Sequence, residues 1–113
     1  MLKKGDTLIF KNVEYLDSFF SQTRGLMFRK KLKDHALLFK LKKPAKISIH
    51  MLFVFYPIDF LFLDAKKTIV DLGHLQPFFG FRNARANVSY LIELPLETIE
   101  RYSLKVGDEL FFD

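Results

Sequence analysis

Short segments in which hydrophobic and polar residues alternate recur along most of the chain, which is the pattern of β-strands. Residues 6–15 carry Leu8, Phe10 and Val13 among polar neighbours, and residues 87–94 alternate in the same way. Further strands are predicted at residues 36–41, 45–50, 58–64, 68–75 and 109–112, and a turn at residues 65–67 is predicted to join 58–64 and 68–75 into a hairpin. Turn signals about every 8–12 residues favour an antiparallel β-sandwich or barrel-like domain over a parallel sheet.

Helices and turns are predicted at fewer places. Asp17 or Ser18 caps a short helix that runs to about Leu26, and Pro95 opens a helical turn. Residues 42–44, Lys-Lys-Pro, are typical of a hairpin turn between two strands, and residues 76–87 form the longest loop. The predicted fold class is therefore mainly β (α+β), with one or two short helices.

Length and composition narrow the class of protein. A chain of 113 residues is expected to fold as a single domain over residues 1–113. The absence of cysteine excludes disulfides and thiolate chemistry, and a cytoplasmic location is expected. The apolar run at residues 51–63 is shorter than the about 20 residues that span a bilayer, so no membrane association is predicted.

The most apolar stretch, residues 48–64, contains a carboxylate, Asp59. A charge in such a segment must find a hydrogen-bonding or positively charged partner when it is buried. Arg24 or Arg29 could provide that partner and place a guanidinium at a pocket mouth, ready for a carboxylate or phosphate ligand. The alternative is an ion pair that only neutralises a charge in the core.

Two neighbours in the same stretch are further candidates. His50 could act as a general base or metal ligand beside Asp59 or His74, or as a core histidine bonded to backbone. Met51 could contact a ligand or serve only for packing. The three histidines are scattered without ligand spacing, so no metal and no cofactor are predicted.

Glu93 is the second carboxylate of interest. It could pair with Arg82, Arg85 or a lysine, or form an acid–base couple with Asp59. Such a couple requires carboxylates roughly 5–10 Å apart. The couple belongs to the least favoured function class, a metal-assisted hydrolase.

The loop at residues 76–87 combines aromatic and basic side chains: Phe78, Phe79, Phe81, Arg82 and Arg85. Rings and guanidinium groups in this arrangement stack on bases and hold phosphates. A net charge of +5 and an isoelectric point near 9.5 agree with an anionic partner, although a solvated lysine surface gives the same totals. Nucleic acid is therefore the alternative class of partner. The competing interpretation is that the phenylalanines of this loop only pack on the hydrophobic core and its arginines are solvated.

Several short motifs occur in a fixed order along the chain. They are Arg24-Gly25-Leu26-Met27-Phe28-Arg29, Leu38-Phe39, His50-Met51, Pro57-Ile58-Asp59, Phe62-Leu63-Asp64, Ile92-Glu93-Leu94-Pro95 and Val106-Gly107-Asp108. This order resembles the domain of unknown function 192 family over residues 18–112. The resemblance implies a compact, mainly β, sandwich-like domain, and it implies no established activity.

The chain also departs from the family pattern. Where many members have Trp-Met-Lys-Asn-Thr, this chain has His50-Met51-Leu52-Phe53-Val54, so it resembles a branch with His-Met in place of Trp-Met. The polar trio is replaced by apolar residues, which argues against any role that needs those polar side chains.

These observations predict a non-enzymatic binding module for a small anionic or partly apolar ligand. The predicted site lies near His50, Met51, Asp59 and Arg29. The chain contains no nucleotide-binding loop, zinc pattern or nucleophile triad spacing. No signal for an oligomeric state is present.

Overall fold

The computed structural model describes residues 1–16, 33–50, 56–78 and 80–113, and at residues 49 and 50 the backbone alone. The described strands and helix are β1 (Leu2–Lys4), β2 (Thr7–Phe10), β3 (Asn12–Leu16), β4 (His35–Ala45), β5 (Ser48–His50), β6 (Ile58–Leu63), β7 (Ile69–Leu75), β8 (Phe81–Asn83), β9 (Val88–Pro95) and α1 (Thr98–Arg101). The described part is mainly β with a short helix, which confirms the predicted fold class.

The largest sheet has five strands in the order β3-β4-β9-β6-β7. Its neighbouring strands are antiparallel except β3 and β4, which run parallel. The sheet is therefore mixed and not purely antiparallel as expected, and among the described strands it does not close into a barrel. A parallel pair needs a long connection, and residues 17–34 between β3 and β4 provide that length.

Both faces of this sheet bury apolar side chains, because successive residues of a strand point to opposite faces. On the α1 face, Leu61 and Leu63 of β6 pack with α1, the β1–β2 hairpin and the C-terminal segment. On the ribbon face, Phe60 and Phe62 pack with residues of a two-stranded ribbon formed by β5 and β8. β6 lies between two strands and under two covering layers, so all six of its residues are buried.

The β6–β7 hairpin agrees with the sequence prediction. Its strands pair antiparallel around residues 65–67, with Asp64 at the end of β6. The Asp64 carboxylate accepts hydrogen bonds from the backbone N–H groups of Lys66 and Thr68, at 2.9 and 3.0 Å. This side-chain cap fixes the turn and hence the register of the two strands.

The hairpin predicted at residues 42–44 is wrong. β4 runs without a break through Lys42, Lys43 and Pro44, and it pairs with β3 and β9 instead of β5. The register shifts before Ala45, and a proline is tolerated at such an irregularity because the ladder is already interrupted there.

Element ends differ from prediction at both termini. The strand predicted at residues 6–15 is two strands, β2 and β3, and a β1–β2 hairpin turns at Gly5 with φ of 58°. The strand predicted at residues 109–112 is reduced to isolated bridges. Pro95 ends β9, and its carbonyl accepts a hydrogen bond from the Thr98 hydroxyl at 2.6 Å where α1 begins. The helix predicted from Asp17 lies outside the described residues.

Among the described residues, no helix has the length and apolar character needed to cross a membrane.

Candidate functional site

Asp59 lies on the α1 face of β6 and is completely buried, with 0% of its surface exposed. Its Oδ1 atom is hydrogen-bonded to Nδ1 of His74 at 2.5 Å. Its Oδ2 atom accepts the backbone N–H of Ile99 at 2.9 Å. Both carboxylate oxygens are thus bonded, and the side chain joins β6, β7 and α1. The buried carboxylate has the partners that its position in an apolar segment requires.

His74 lies on the edge strand β7, directly opposite Asp59 in the β6–β7 register. Its side chain is 46% exposed. Because a carboxylate only accepts hydrogen bonds, the proton in the bond to Asp59 belongs to Nδ1 of the imidazole. The other ring nitrogen, Nε2, is then the one that can meet an external ligand. Histidines that bind ligands or metals commonly donate their other ring N–H to a carboxylate, which orients the imidazole in the same way.

A second acid–base pair lies on the ribbon face of the same hairpin. Arg82 of β8 donates from Nε and from a terminal nitrogen to the two oxygens of Asp71, at 3.0 and 2.6 Å. The guanidinium also lies 5.6 Å from the ring centre of Phe60. The hydrogen bond that Arg82 donates to Asp71 raises the pKa of Arg82 above its usual value, and this effect outweighs the lowering by burial.

Glu93 does not share a site with Asp59. Asp59 is in register with Leu94 of β9, and Glu93 is in register with Phe60. Residues adjacent in a strand point to opposite faces, so Glu93 lies on the ribbon face and Asp59 on the α1 face. The predicted acid–base couple is not formed. The Arg82 guanidinium is bonded by both oxygens of Asp71, and the pairing of Glu93 with Arg82, Arg85 or a lysine stays a prediction.

The structure also separates Asp59 from the strand that carries His50. The backbone of His50 pairs with Phe81 in the β5–β8 ribbon. Ile47 and Ala84, which flank that ribbon, pack against the ribbon face of the large sheet. The sheet therefore lies between this strand and the Asp59 carboxylate. Arg24, Arg29, Met51 and Phe79 lie outside the described residues, and their roles stay predictions.

Nearly the whole chain matches the model of a protein family. The model of DUF192, described as "Uncharacterized ACR", matches residues 2–112. The chain belongs to the DUF192 family. This confirms the resemblance carried by the sequence motifs.

Relatives of this DUF192 chain include two archaeal proteins named UPF0127 protein. The one from Pyrococcus furiosus is 38% identical over 100 residues, which cover 87% of this chain and 84% of that protein. The one from Thermococcus sibiricus is 35% identical over 100 residues, which cover 87% of this chain and 64% of that protein. The DUF192 chain thus spans less than two thirds of the Thermococcus relative.

Two solved structures share the DUF192 chain's fold. A Sinorhizobium meliloti protein described as a proposed transcription regulator superposes with a TM-score of 0.80 at 27% identity, over 88% of this chain and 79% of that one. A protein of unknown function from Novosphingobium aromaticivorans superposes with a TM-score of 0.81 at 20% identity, over 91% of this chain and 75% of that one. Neither description states a ligand.

The aromatic and basic loop of the DUF192 chain is partly displayed to solvent. Phe78 is 44% exposed and Phe81 is 59% exposed, and Arg85 is also exposed. Arg82 differs, because its guanidinium is bonded to Asp71 and faces Phe60. The nucleic-acid candidates are therefore divided into three displayed side chains and one that holds the ribbon to the sheet.

A groove of about 660 Å³ runs beside α1 of the DUF192 chain. Its charged lining residues are Lys11, Lys33, Arg101, Asp34, Glu97 and Glu100. Three cations face three anions, so the lining does not favour a ligand of either sign. Within the described part of the chain, no group of three or more histidine or acidic side chains is arranged to hold a metal ion.

Proposed function

We propose that this DUF192 chain is a non-enzymatic binding module for a small anionic ligand, and that Nε2 of His74 contacts that ligand. The observation that carries the proposal is the fully buried Asp59 carboxylate bonded to Nδ1 of a half-exposed imidazole. Because the carboxylate fixes the ring, Nε2 is oriented before a ligand arrives, which reduces the entropy that binding costs. A protonated imidazole beside a buried carboxylate donates from Nε2 to a carboxylate or phosphate oxygen.

The geometry favours binding over hydrolysis. Asp59 is fully buried and both of its oxygens are occupied, so its role is to position His74, and a substrate would not reach it. Glu93, the other candidate acid, lies on the opposite face of the sheet. An acid–base pair would need two groups within reach of one bond. Arg24 and Arg29 stay as predicted additional cations for the same anion. Met51 is not included in this site, because it directly follows His50, whose strand lies on the other side of the sheet.

A titration with inorganic phosphate and acetate tests this proposal. Side-chain ¹⁵N resonances of the histidines would be followed by NMR while the anion is added to the whole chain. The His74 resonances are expected to shift and saturate. Anion binding measured by isothermal titration calorimetry is expected to vanish in His74→Gln and to weaken in Asp59→Asn. His35→Gln is the matched control, because His35 begins β4 and is far along the chain from the pair. Undiminished anion binding in His74→Gln would overturn the proposal.

A second candidate function is nucleic-acid binding. The specific observation that favours it is the exposure of two phenylalanine rings, Phe78 and Phe81, in a segment that also carries the exposed Arg85. The similarity to the Sinorhizobium protein described as a proposed transcription regulator is in line with this candidate. A titration of labelled RNA and DNA at several salt concentrations tests it, since phosphate contacts give an affinity that falls steeply with ionic strength. An affinity that does not change with salt would contradict it.

A further inference from the structure

The β5–β8 ribbon has an inner and an outer face that differ in character. Ile47 and Ala84 pack inward on the large sheet, and Arg82 turns inward to Asp71 and Phe60. Side chains alternate along a strand, so the intervening positions face away from the sheet. All five of these outer residues whose side chains are described are exposed: Lys46, Ser48, Phe81, Asn83 and Arg85. We call these five residues the outer strip.

Backbone pairing brings the two cations of the outer strip together. Ser48 is in register with Asn83, and one step further the N–H of Ala84 donates to the carbonyl of Ile47 at 2.8 Å. The next positions along the two segments are Lys46 and Arg85, which are both exposed and lie just beyond the two strands at the same end of the ribbon. Phe81 lies at the other end, and Ser48 and Asn83 lie between, joined by a side-chain hydrogen bond.

The sequence around this strip contains basic residues and is free of acidic ones. Residues 35–58 contain four lysines and no acidic residue, and residues 72–92 contain two arginines and no acidic residue. Pairing of β4 with β9 and of β5 with β8 joins these two acid-free stretches. By contrast, residues 93–113 contain six of the 13 acidic residues. We therefore expect a positive potential at the outer strip, carried mainly by Lys46 and Arg85, because the charge of Arg82 is paired with that of Asp71.

We infer that the outer strip binds a single-stranded nucleic acid, with a base stacked on Phe81 and the phosphates held by Lys46 and Arg85. This inference rests on the second candidate function, and it adds the surface and the type of strand. An exposed ring on a strand can stack only on a base whose face is open, which a duplex does not offer. Lys42 and Lys43, exposed on the adjoining part of β4, extend the cationic path for the sugar–phosphate chain.

The polar centre of the strip argues against an anionic membrane as the partner. Ser48 and Asn83 lie between the ring and the cations. Insertion of Phe81 into a bilayer would remove water from these polar groups, and that removal is unfavourable. Beside a nucleic acid the same groups can bond to base edges or sugar hydroxyls.

Binding of labelled single strands to the whole chain tests the inference. Fluorescence anisotropy would be measured with a uridine 20-mer, a thymidine 20-mer and a 20-base-pair duplex at several salt concentrations. The single strands are expected to bind more tightly than the duplex. In the charge-reversal variant Lys46→Glu with Arg85→Glu, binding is expected to weaken at least about tenfold and the salt slope to fall by about 1.4, which corresponds to two phosphate contacts on a single strand.

Two further variants separate stacking and net charge from folding. Phe81→Leu keeps an apolar side chain at this exposed position, and it is expected to weaken single-strand binding roughly tenfold with little change in melting temperature. The matched control is Lys66→Glu with Lys11→Glu, because these exposed lysines lie between strands outside the strip and the substitution changes the net charge equally. The control is expected to retain most of its affinity.

The alternative outcomes are distinct. Single strands could bind with an affinity that falls with ionic strength, while the strip variants bind as well as the control. In that case the outer strip is not the binding surface, and the second candidate function stands. Preferential binding of the duplex would also overturn the inference about the outer strip, but not the second candidate function. If no nucleic acid binds at any salt concentration, both fail. Binding to vesicles of phosphatidylcholine and phosphatidylserine in place of nucleic acid would overturn the inference in favour of a membrane partner.

Discussion

Two acid–base pairs lie on opposite faces of the β6–β7 hairpin and differ in which partner is buried. On the α1 face the anion, Asp59, is completely buried and its histidine partner is half exposed. On the ribbon face Asp71 and Arg82 are both partly exposed. The guanidinium donates two hydrogen bonds to the carboxylate and also lies over the ring of Phe60. The first pair leaves a ring nitrogen to contact a ligand, whereas the second directs its cation inward.

The chemistry of arginine and histidine explains why one pair fixes a contact between two elements and the other leaves a ring nitrogen for a ligand. Arginine is permanently charged, and its planar fork matches a carboxylate with two hydrogen bonds, which suits a fixed contact between two elements. Histidine has two distinct nitrogens, and one of them can be held by a buried acid while the other faces outward. The comparison therefore supports the proposed ligand contact on the α1 face, and on the other face the pair attaches the ribbon to the sheet.

The largest predicted effect is on stability at Asp59. In Asp59→Ala the N–H of Ile99 and the Nδ1 of His74 both lose their partner, so the free energy of unfolding is expected to fall by about 3 kcal/mol or more. Asp6→Ala is the control, because Asp6 is exposed in the β1–β2 turn, and a change within about 0.5 kcal/mol is expected there. Denaturant unfolding measures both. A loss at Asp59 no larger than that at Asp6 would remove the distinction between the faces.

A smaller effect is predicted at the partly exposed pair. Asp71→Ala and Arg82→Ala are each expected to lower the free energy of unfolding by about 1 kcal/mol, because water screens the pair and can replace the partner. A double-mutant cycle is expected to give a coupling energy of similar size, since the two hydrogen bonds are bidentate. A coupling as large as the loss at Asp59 would show that the ribbon-face pair is the more important of the two.

A third ion pair, between Lys4 and Asp108, lies near the surface with a distance of 2.9 Å between its charged atoms. Its contribution to stability is a reference for the contributions of the Asp59–His74 and Asp71–Arg82 pairs. Burial raises the pKa of Asp108, but hydrogen bonds and charges of Lys4 and Lys105 together hold it below its usual value. The folded form therefore releases this proton more readily than the unfolded form. The stabilisation is complete above about pH 4 and is lost as the pH falls further through the folded pKa.

The free energy of unfolding, measured at pH 7 and at pH 3, tests how much Asp108 contributes to stability. The wild type is expected to lose roughly 0.5 kcal/mol or less through Asp108, and Asp108→Asn is expected to lack that part of the pH dependence. Equal pH dependence in the two proteins would contradict the assignment.

The Asp59–His74 contact was within reach of the sequence. A hairpin that turns at residues 65–67 pairs Asp59 with His74, and both the hairpin and the buried carboxylate were predicted. The contact was not predicted because His74 was considered only as a neighbour of His50. His50 lies in the apolar stretch by sequence, but its strand pairs in the ribbon on the other side of the sheet.

Other contacts depend on packing that local patterns do not show. Asp71 and Arg82 meet only because the ribbon folds over Phe60, and no spacing in the chain indicates that. Lys42, Lys43 and Pro44 have the composition of a turn, but β4 continues through them and pairs with β9 on either side of them, at residues 37–40 and at Ala45. The parallel alignment of β3 with β4 likewise follows from the long connection and from burial of both faces.

The most direct test of the account is a ¹⁵N NMR spectrum of the His74 imidazole with and without inorganic phosphate. The account predicts that Nδ1 carries a proton in the folded protein, and that phosphate shifts the Nε2 resonance of His74 while the resonances of His35 stay unchanged. An imidazole with its single proton on Nε2, or with no response to phosphate, would contradict the claim that Asp59 orients His74 for an anionic ligand.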